Sequence, residues 1–268
     1  MTLVLALALF AALAYATAGS GLAGRVLGQG TAHGSGPWLA LGGLGAAAHL
    51  VVHMAATAAQ GLPDLHFLSA LSLVALGMAA LTLAGAWLER LEALGVLVFP
   101  IAAASLLAYV LGGQPGQSGT PLPWPIKLHA WLALLAYAAL ALAALFALGL
   151  WAQERALRRR RITRLVRALP PLTQTESLLF RILVAGFVLL TLALAIGLVF
   201  VENLFAQSLA HKAVLSLLSW AVLAALLFGH WRWGWRGPRA VRWTLAAMLL
   251  LGLAFFGSQF VYEFVLVR

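Results

Sequence analysis

Eight long apolar runs decide what this chain can fold into. They cover approximately residues 2–18, 37–58, 67–88, 94–112, 127–153, 178–202, 211–231 and 241–264. About 20 apolar residues cross a hydrocarbon core as a helix. Inside lipid every backbone N–H and C=O must find a partner, which leaves only helices and closed barrels. The runs are continuous rather than alternating, so a barrel is excluded. The expected fold is an all-α polytopic membrane helix bundle with eight transmembrane helices, a single integral membrane domain over residues 1–268. Composition agrees: 63% of residues are hydrophobic and 9% charged, where a soluble domain carries about 25% charge. The N-terminus is apolar from Leu3 onward and lacks a basic leader, so it reads as a first span rather than a cleaved signal.

Arginine placement sets the expected orientation. The link between spans 5 and 6 holds Arg155, Arg158, Arg159, Arg160, Arg161, Arg164 and Arg167; the link between spans 7 and 8 holds Arg232, Arg236, Arg239 and Arg242. Arg25 and Arg90 follow spans 1 and 3. With eight spans all of these fall on one side, opposite Lys127, Lys212 and Arg268. The positive-inside rule makes the arginine side cytoplasmic and puts both termini outside. The basic cytoplasmic link, residues 154–177, is expected to begin as an extension of span 5. Pro170 and Pro171 would stop it, and Thr173 or Thr175 would cap the next helix. Its charge serves topology and attraction to anionic headgroups, with docking of a cytoplasmic partner as the alternative. The outward link GGQPGQSGTPLPWPIK is rich in Gly and Pro, and Trp124 at its end suits a membrane interface.

The formal charge of +10 does not point to nucleic acid, because it is concentrated between spans. The chain has no cysteine, which removes disulfide, iron–sulfur and thiol redox chemistry. No Ser-His-Asp arrangement or phosphate-binding glycine loop is recognisable, so no catalytic residue is assigned.

Four histidines lie within or at the ends of the apolar runs: His49, His53, His129 and His230. Ionisable or ligating side chains inside a membrane are costly and mark functional sites. Imidazole also holds haem iron. His49 and His53, four residues apart, share one face of span 2. They could bind one metal ion together or act as ligand and supporting partner. Acidic partners are nearly absent from the spans, with Glu202 and Glu263 at span ends, which weighs against an ion pump. His129 opens span 5, either as a ligand or as an interfacial residue bonded to carbonyls. His230 closes span 7 in LLFGHWRWGWRG, with Arg232 and Arg236 nearby. Those arginines could pair with haem propionates or serve topology alone. His53 and His230 would lie roughly 20 Å apart in depth at 1.5 Å rise per residue, which favours His49 as the partner of His230. His66 and His211 read as solvated or interfacial, and His33, in a Gly/Ser loop, has no assigned role.

Several stretches resemble the cytochrome c assembly (CcsA-like) membrane protein family, and within it the YpjD-like branch. Span 5, LHAWLALLAYAALALAALFALGLW, resembles that family's histidine-led helix. In span 7, HKAVLSLLSWAVLAALLFGHWRWGWRGPRAVRW matches its pattern of Lys, then Leu-x-x-Trp, then a helix-terminal His, then Gly-Trp-Arg-Gly. LAFFGSQFV resembles the family's last span, and FLSALSLVAL is a weaker match in span 3. The resemblance covers nearly the whole chain. It implies a haem-binding bundle, with His129 as an outer-face ligand and His230 paired within the membrane with a span 2 histidine. It also implies a b-type, non-covalent haem as cofactor.

The departures narrow that expectation. Haem-attaching members carry a Trp-rich outer loop ending in Trp-Asp-Pro-Lys; here the stretch is ENLFAQSLAHK. They also carry a second outer histidine near the last span, where this chain reads GSQFVYEF. Haem ligase activity is therefore not expected. The leading expectation is a haem-binding or haem-handling protein of the bacterial inner membrane, associated with cytochrome c biogenesis and its maturation components. One alternative is a regulatory or metal-resistance protein sensing haem or divalent cations. The other is a structural subunit whose histidines are satisfied by hydrogen bonds.

Overall fold

The computed structural model describes residues 2–28, 34–60, 66–89, 91–112, 123–160, 171–200 and 207–266. Among them it is helical apart from short turns and has no strand. The helices are α1 (Thr2–Val26), α2 (Gly36–Gln60), α3 (Phe67–Glu89), α4 (Gly95–Leu111), α5 (Trp124–Arg158), α6 (Leu172–Phe200), α7 (Gln207–Trp233) and α8 (Pro238–Gly252). α8 continues through a π-helical turn at Leu253–Gly257, one short α turn, and a second π segment at Val261–Leu266. Seven of these helices, counting α8 through Glu263, are long and apolar enough to cross a membrane, and α4 is a shorter apolar helix. At 1.5 Å per residue, α4's 17 residues reach about 25 Å, near the lower limit for a span. The protein is a polytopic helical membrane bundle of about eight helices.

The chain divides into two compact units, Met1–Leu122 and Pro123–Arg268. In the first, α1 packs on α2 and α4, and α3 closes the ring by packing on the same two helices. In the second, α5 packs on α6 and α8, and α7 packs on α6 and α8. Each unit is thus a four-helix ring. In lipid, helices associate through close packing rather than hydrophobic exclusion, so small residues at the contacts matter. Gly42 of α2 lies so close to Phe99 of α4 that an added Cβ would come within 2.5 Å of the ring. Gly186 of α6 bears on Leu140 of α5 in the same way, at 2.8 Å.

Two boundaries differ from the sequence expectation. The first span runs to Val26, not 18. Glycines 19 and 21, which read as a loop, are packing positions: Gly19 meets Pro100, and Gly21 lies beneath the Trp38 ring. As expected, span 5 extends as a basic helix through Arg158, followed by a turn in which Arg160 takes a left-handed φ of 51°. Thr173 and Thr175 do not precede α6 as caps. They lie inside its first turn, and the Pro171 carbonyl accepts the N–H groups of Gln174 and Thr175. His33, Arg90, Arg161, Arg164, Arg167, Pro170, Glu202, Arg268 and most of the link between α4 and α5 lie outside the described residues.

Candidate functional site

In the first unit His49 and His53 belong to one buried polar cluster. His49 is fully buried and His53 nearly so. Both Nε2 atoms converge on the hydroxyl of Ser72, at 2.8 Å from His49 and 3.0 Å from His53. A hydroxyl owns one proton, so at least one of the two imidazoles must donate to it. Tyr15 of α1 approaches His49 Nδ1 at 3.4 Å. The rings also stack: His49 on His53 at 5.4 Å, and His53 on Tyr109 of α4 at 4.6 Å between centroids. Four helices therefore contribute to one cluster. Ser72 follows from a period that puts the α3 serines at 69 and 72 on one face, turned inward. An uncompensated polar group in lipid costs several kcal/mol, so the cluster closes on itself.

The second unit builds a site at the end of α7 from the sequence GHWRWGWRG. Gly234 takes a left-handed φ of 64°, and its N–H bonds the His230 carbonyl at 3.0 Å, which ends the helix. The turn folds Trp235 back over Gly229, where a Cβ would lie 2.5 Å from the indole. The Trp235 carbonyl then meets His230 Nδ1 at 2.8 Å. A carbonyl only accepts, so Nδ1 carries the proton and Nε2 of the neutral ring keeps its lone pair. Phe180 of α6 stacks on the imidazole at 3.5 Å between centroids and 15° between planes, holding its face and leaving its edge open. Gly237, also left-handed at 55°, donates its N–H to Glu176 Oε1 at 3.1 Å and leads into α8 through Pro238.

His230 lines a groove of about 690 Å³ with Thr173, Glu176, Ser177, Phe180, Arg181, Val184 and Arg236. That volume falls in the 300–1,000 Å³ range of cofactor sites. Of the two arginines singled out by sequence, Arg236 lines the groove, whereas Arg232 is exposed on the last turn of α7. Arg181 was hidden in the apolar run of span 6, and nothing in its spacing separated it from a topology arginine.

His129 shows the same anchoring. Its Nδ1 lies 2.7 Å from the Ala193 carbonyl of α6, so Nδ1 is the donor and Nε2 is free to accept. Gly197 permits the approach: a Cβ there would sit 3.0 Å from the ring. His129 borders a separate cavity of about 200 Å³, lined also by Tyr137, Lys212, Ser216 and Phe255. The structure thus groups His49 with His53 and gives His129 and His230 separate surroundings within the second unit. Trp124 is exposed and tilted against Phe200. His211 is exposed, and His66 immediately precedes α3. Among the described residues no group of three or more His, Cys, Asp or Glu side chains could hold a bare metal ion.

Comparison with known proteins fits this architecture. The chain is similar to inner membrane protein YpjD of Escherichia coli K12, 35% identical over 241 residues, which is 86% of this chain and 90% of that one. It is equally similar, 35% over 233 residues, to a 28.8 kDa protein in a nifR3-like 5′ region of Azospirillum brasilense, covering 85% of this chain and 84% of that one. Protein HemX of Brevibacillus brevis is 30% identical over 131 residues, 48% of each chain. No solved structure matches significantly. The family model described as cytochrome c assembly protein matches residues 38–266. This multi-pass membrane chain therefore belongs to the cytochrome c assembly protein family.

Proposed function

We propose that this protein handles haem in the bacterial inner membrane as an accessory of cytochrome c maturation, holding b-type haem non-covalently through transmembrane histidines. One observation carries the reading. His129 and His230 each give Nδ1–H to a backbone carbonyl and keep Nε2 bare, at 2.7 and 2.8 Å. Metal-ligating histidines are oriented in this way, because the bond fixes the tautomer and raises the basicity of the other nitrogen. Family membership and the partial similarity to a protein named HemX support the same direction.

The groove beside His230 suits the group chemically. It offers an apolar wall from Phe180 and Val184, hydroxyls from Thr173 and Ser177, and cationic side chains from Arg181 and Arg236. His230 would hold the haem iron through Nε2, and Arg236 would meet a propionate. Arg232 would contribute from the exposed side. When bound, the haem supplies a redox-active iron. The protein's part is to hold the imidazole, orient the carboxylates and exclude water. The span 2 histidines, His49 and His53, are the other candidate haem-holding residues, and either Nε2 would have to leave Ser72 to serve. His129 would offer a separate ligand toward the outer face, with both termini outside and the basic link 154–177 in the cytoplasm. Partners would be the lipid membrane, haem and cytochrome c maturation components.

The test is an absorbance spectrum of purified protein with and without added haem, for the native chain and His230→Ala. A Soret band with sharp reduced α and β bands, weakened at least tenfold in haem affinity by the substitution, is expected. No haem uptake by a folded native protein would overturn the proposal.

A further inference from the structure

The cavity at His129 has a wall that a regular helix does not make. Tyr137 of α5 donates its hydroxyl to the Leu251 carbonyl at 2.5 Å. In a regular α-helix that carbonyl would accept the Phe255 N–H, so the hydroxyl competes for one rung of the ladder. The π turn Leu253–Gly257 follows directly, and its Ala254 and Phe255 line the cavity. Single π turns of this kind gather at functional sites.

The remaining lining is apolar except at one end. Leu190, Leu194, Leu198 and Leu217 form the body, while Lys212, Ser216 and His129 supply the polar groups. Lys212 points its ammonium over the Phe255 ring at 5.7 Å. Glu263, farther along the C-terminal helix, interacts with that ammonium and accepts Gln259 Nε2 at 2.7 Å. At about 200 Å³ the cavity equals roughly seven liquid waters and falls below the ~300 Å³ of drug-sized pockets. A macrocycle does not fit inside this volume, so an acid held here and a haem ligated by His129 would exclude each other.

We propose that this cavity is a binding site for the carboxyl head of a small apolar acid, held by Lys212 beside the anchored His129. The ammonium donates to one carboxyl oxygen. The bare His129 Nε2 accepts from the protonated acid, or Ser216 donates to the second oxygen of the ionised one. The leucines and the π wall cover the first carbons of the chain. The source is either a free short-chain acid, enclosed entirely, or the acid head of a longer amphiphile whose tail runs out into lipid. The site is independent of haem binding at His230.

The experiment uses full-length, haem-free protein in nanodiscs and follows thermal unfolding against added octanoate, octanol and oleate. Octanoate should raise Tm saturably, and octanol at equal concentration should not. Lys212→Met should weaken octanoate at least tenfold, and Glu263→Gln should strengthen it by removing the competing carboxylate. Ala213→Leu, which fills the cavity and keeps the lysine, should also abolish the shift and decides the matter if the lysine variant misfolds. Stabilisation by oleate alone assigns the carboxyl to a lipid-like amphiphile. Equal effects of octanol and octanoate, binding that survives both Lys212→Met and Ala213→Leu, or no response to either acid would overturn the proposal.

Discussion

Replacing Ser72 by alanine tests the buried cluster of the first unit most directly. The hydroxyl accepts or donates two hydrogen bonds, at 2.8 Å to His49 and 3.0 Å to His53, and is fully buried. Interhelical hydrogen bonds in membrane bundles are each worth about 0.6 kcal/mol on average and up to about 1.7. Two of them give about 1–3 kcal/mol. A buried imidazole nitrogen left without a partner adds about 1–3 kcal/mol more, reduced if the stacked rings shift to share a bond. The expected loss for Ser72→Ala is therefore about 2–4 kcal/mol. Ser105→Ala is the control. Its hydroxyl is also buried but bonds only its own helix at Ala102, 3.1 Å away, so its removal should cost under about 0.5 kcal/mol. Reversible SDS unfolding of both variants measures the difference. If Ser72→Ala unfolds within 0.5 kcal/mol (about the control's own effect) of the native chain, the hydroxyl does not hold the histidines and the reasoning fails.

Three further substitutions probe close packing and the π turn. Gly42→Ala should destabilise the first unit by about 1–3 kcal/mol, because the new methyl meets the fully buried Phe99 ring. Gly43→Ala, with nothing within 4 Å, should be neutral or stabilising by up to about 1 kcal/mol in the same unfolding assay. Tyr137→Phe removes the hydroxyl that occupies the Leu251 carbonyl. Losing that buried hydrogen bond should cost about 1 kcal/mol. Hydrogen exchange at Phe255 then slows toward that of regular helix; unchanged exchange would show that the hydroxyl does not maintain the turn.

Much of the fold was legible because the solvent imposes it. Lipid admits no unpaired backbone, so continuous apolar runs had to be helices, and the observed elements follow the runs within a few residues at most ends. The failure at residues 18–26 has a physical cause. Gly-rich sequence normally reads as loop, but between membrane helices a missing side chain is a packing surface, as Gly21 is for Trp38. The threonines at 173 and 175 misled for a related reason: the Pro171 carbonyl already accepts the first helical N–H groups.

Which side chains are expensive in a membrane could be read from the amino-acid order alone: four histidines in apolar runs, two of them one helical turn apart. That order also carried the glycines that shape the end of α7. What each imidazole touches came from helix packing. Ser72, Tyr15 and Tyr109 reach the span 2 histidines from other helices, and Phe180, Arg181 and Glu176 come to the groove at His230 from α6. No local pattern encodes those meetings, because a hydroxyl or an aromatic ring in an apolar run is ordinary until packing turns it toward a partner. The tautomers of His129 and His230 were decided in the same way, by carbonyls that the fold places within 2.7 and 2.8 Å of Nδ1.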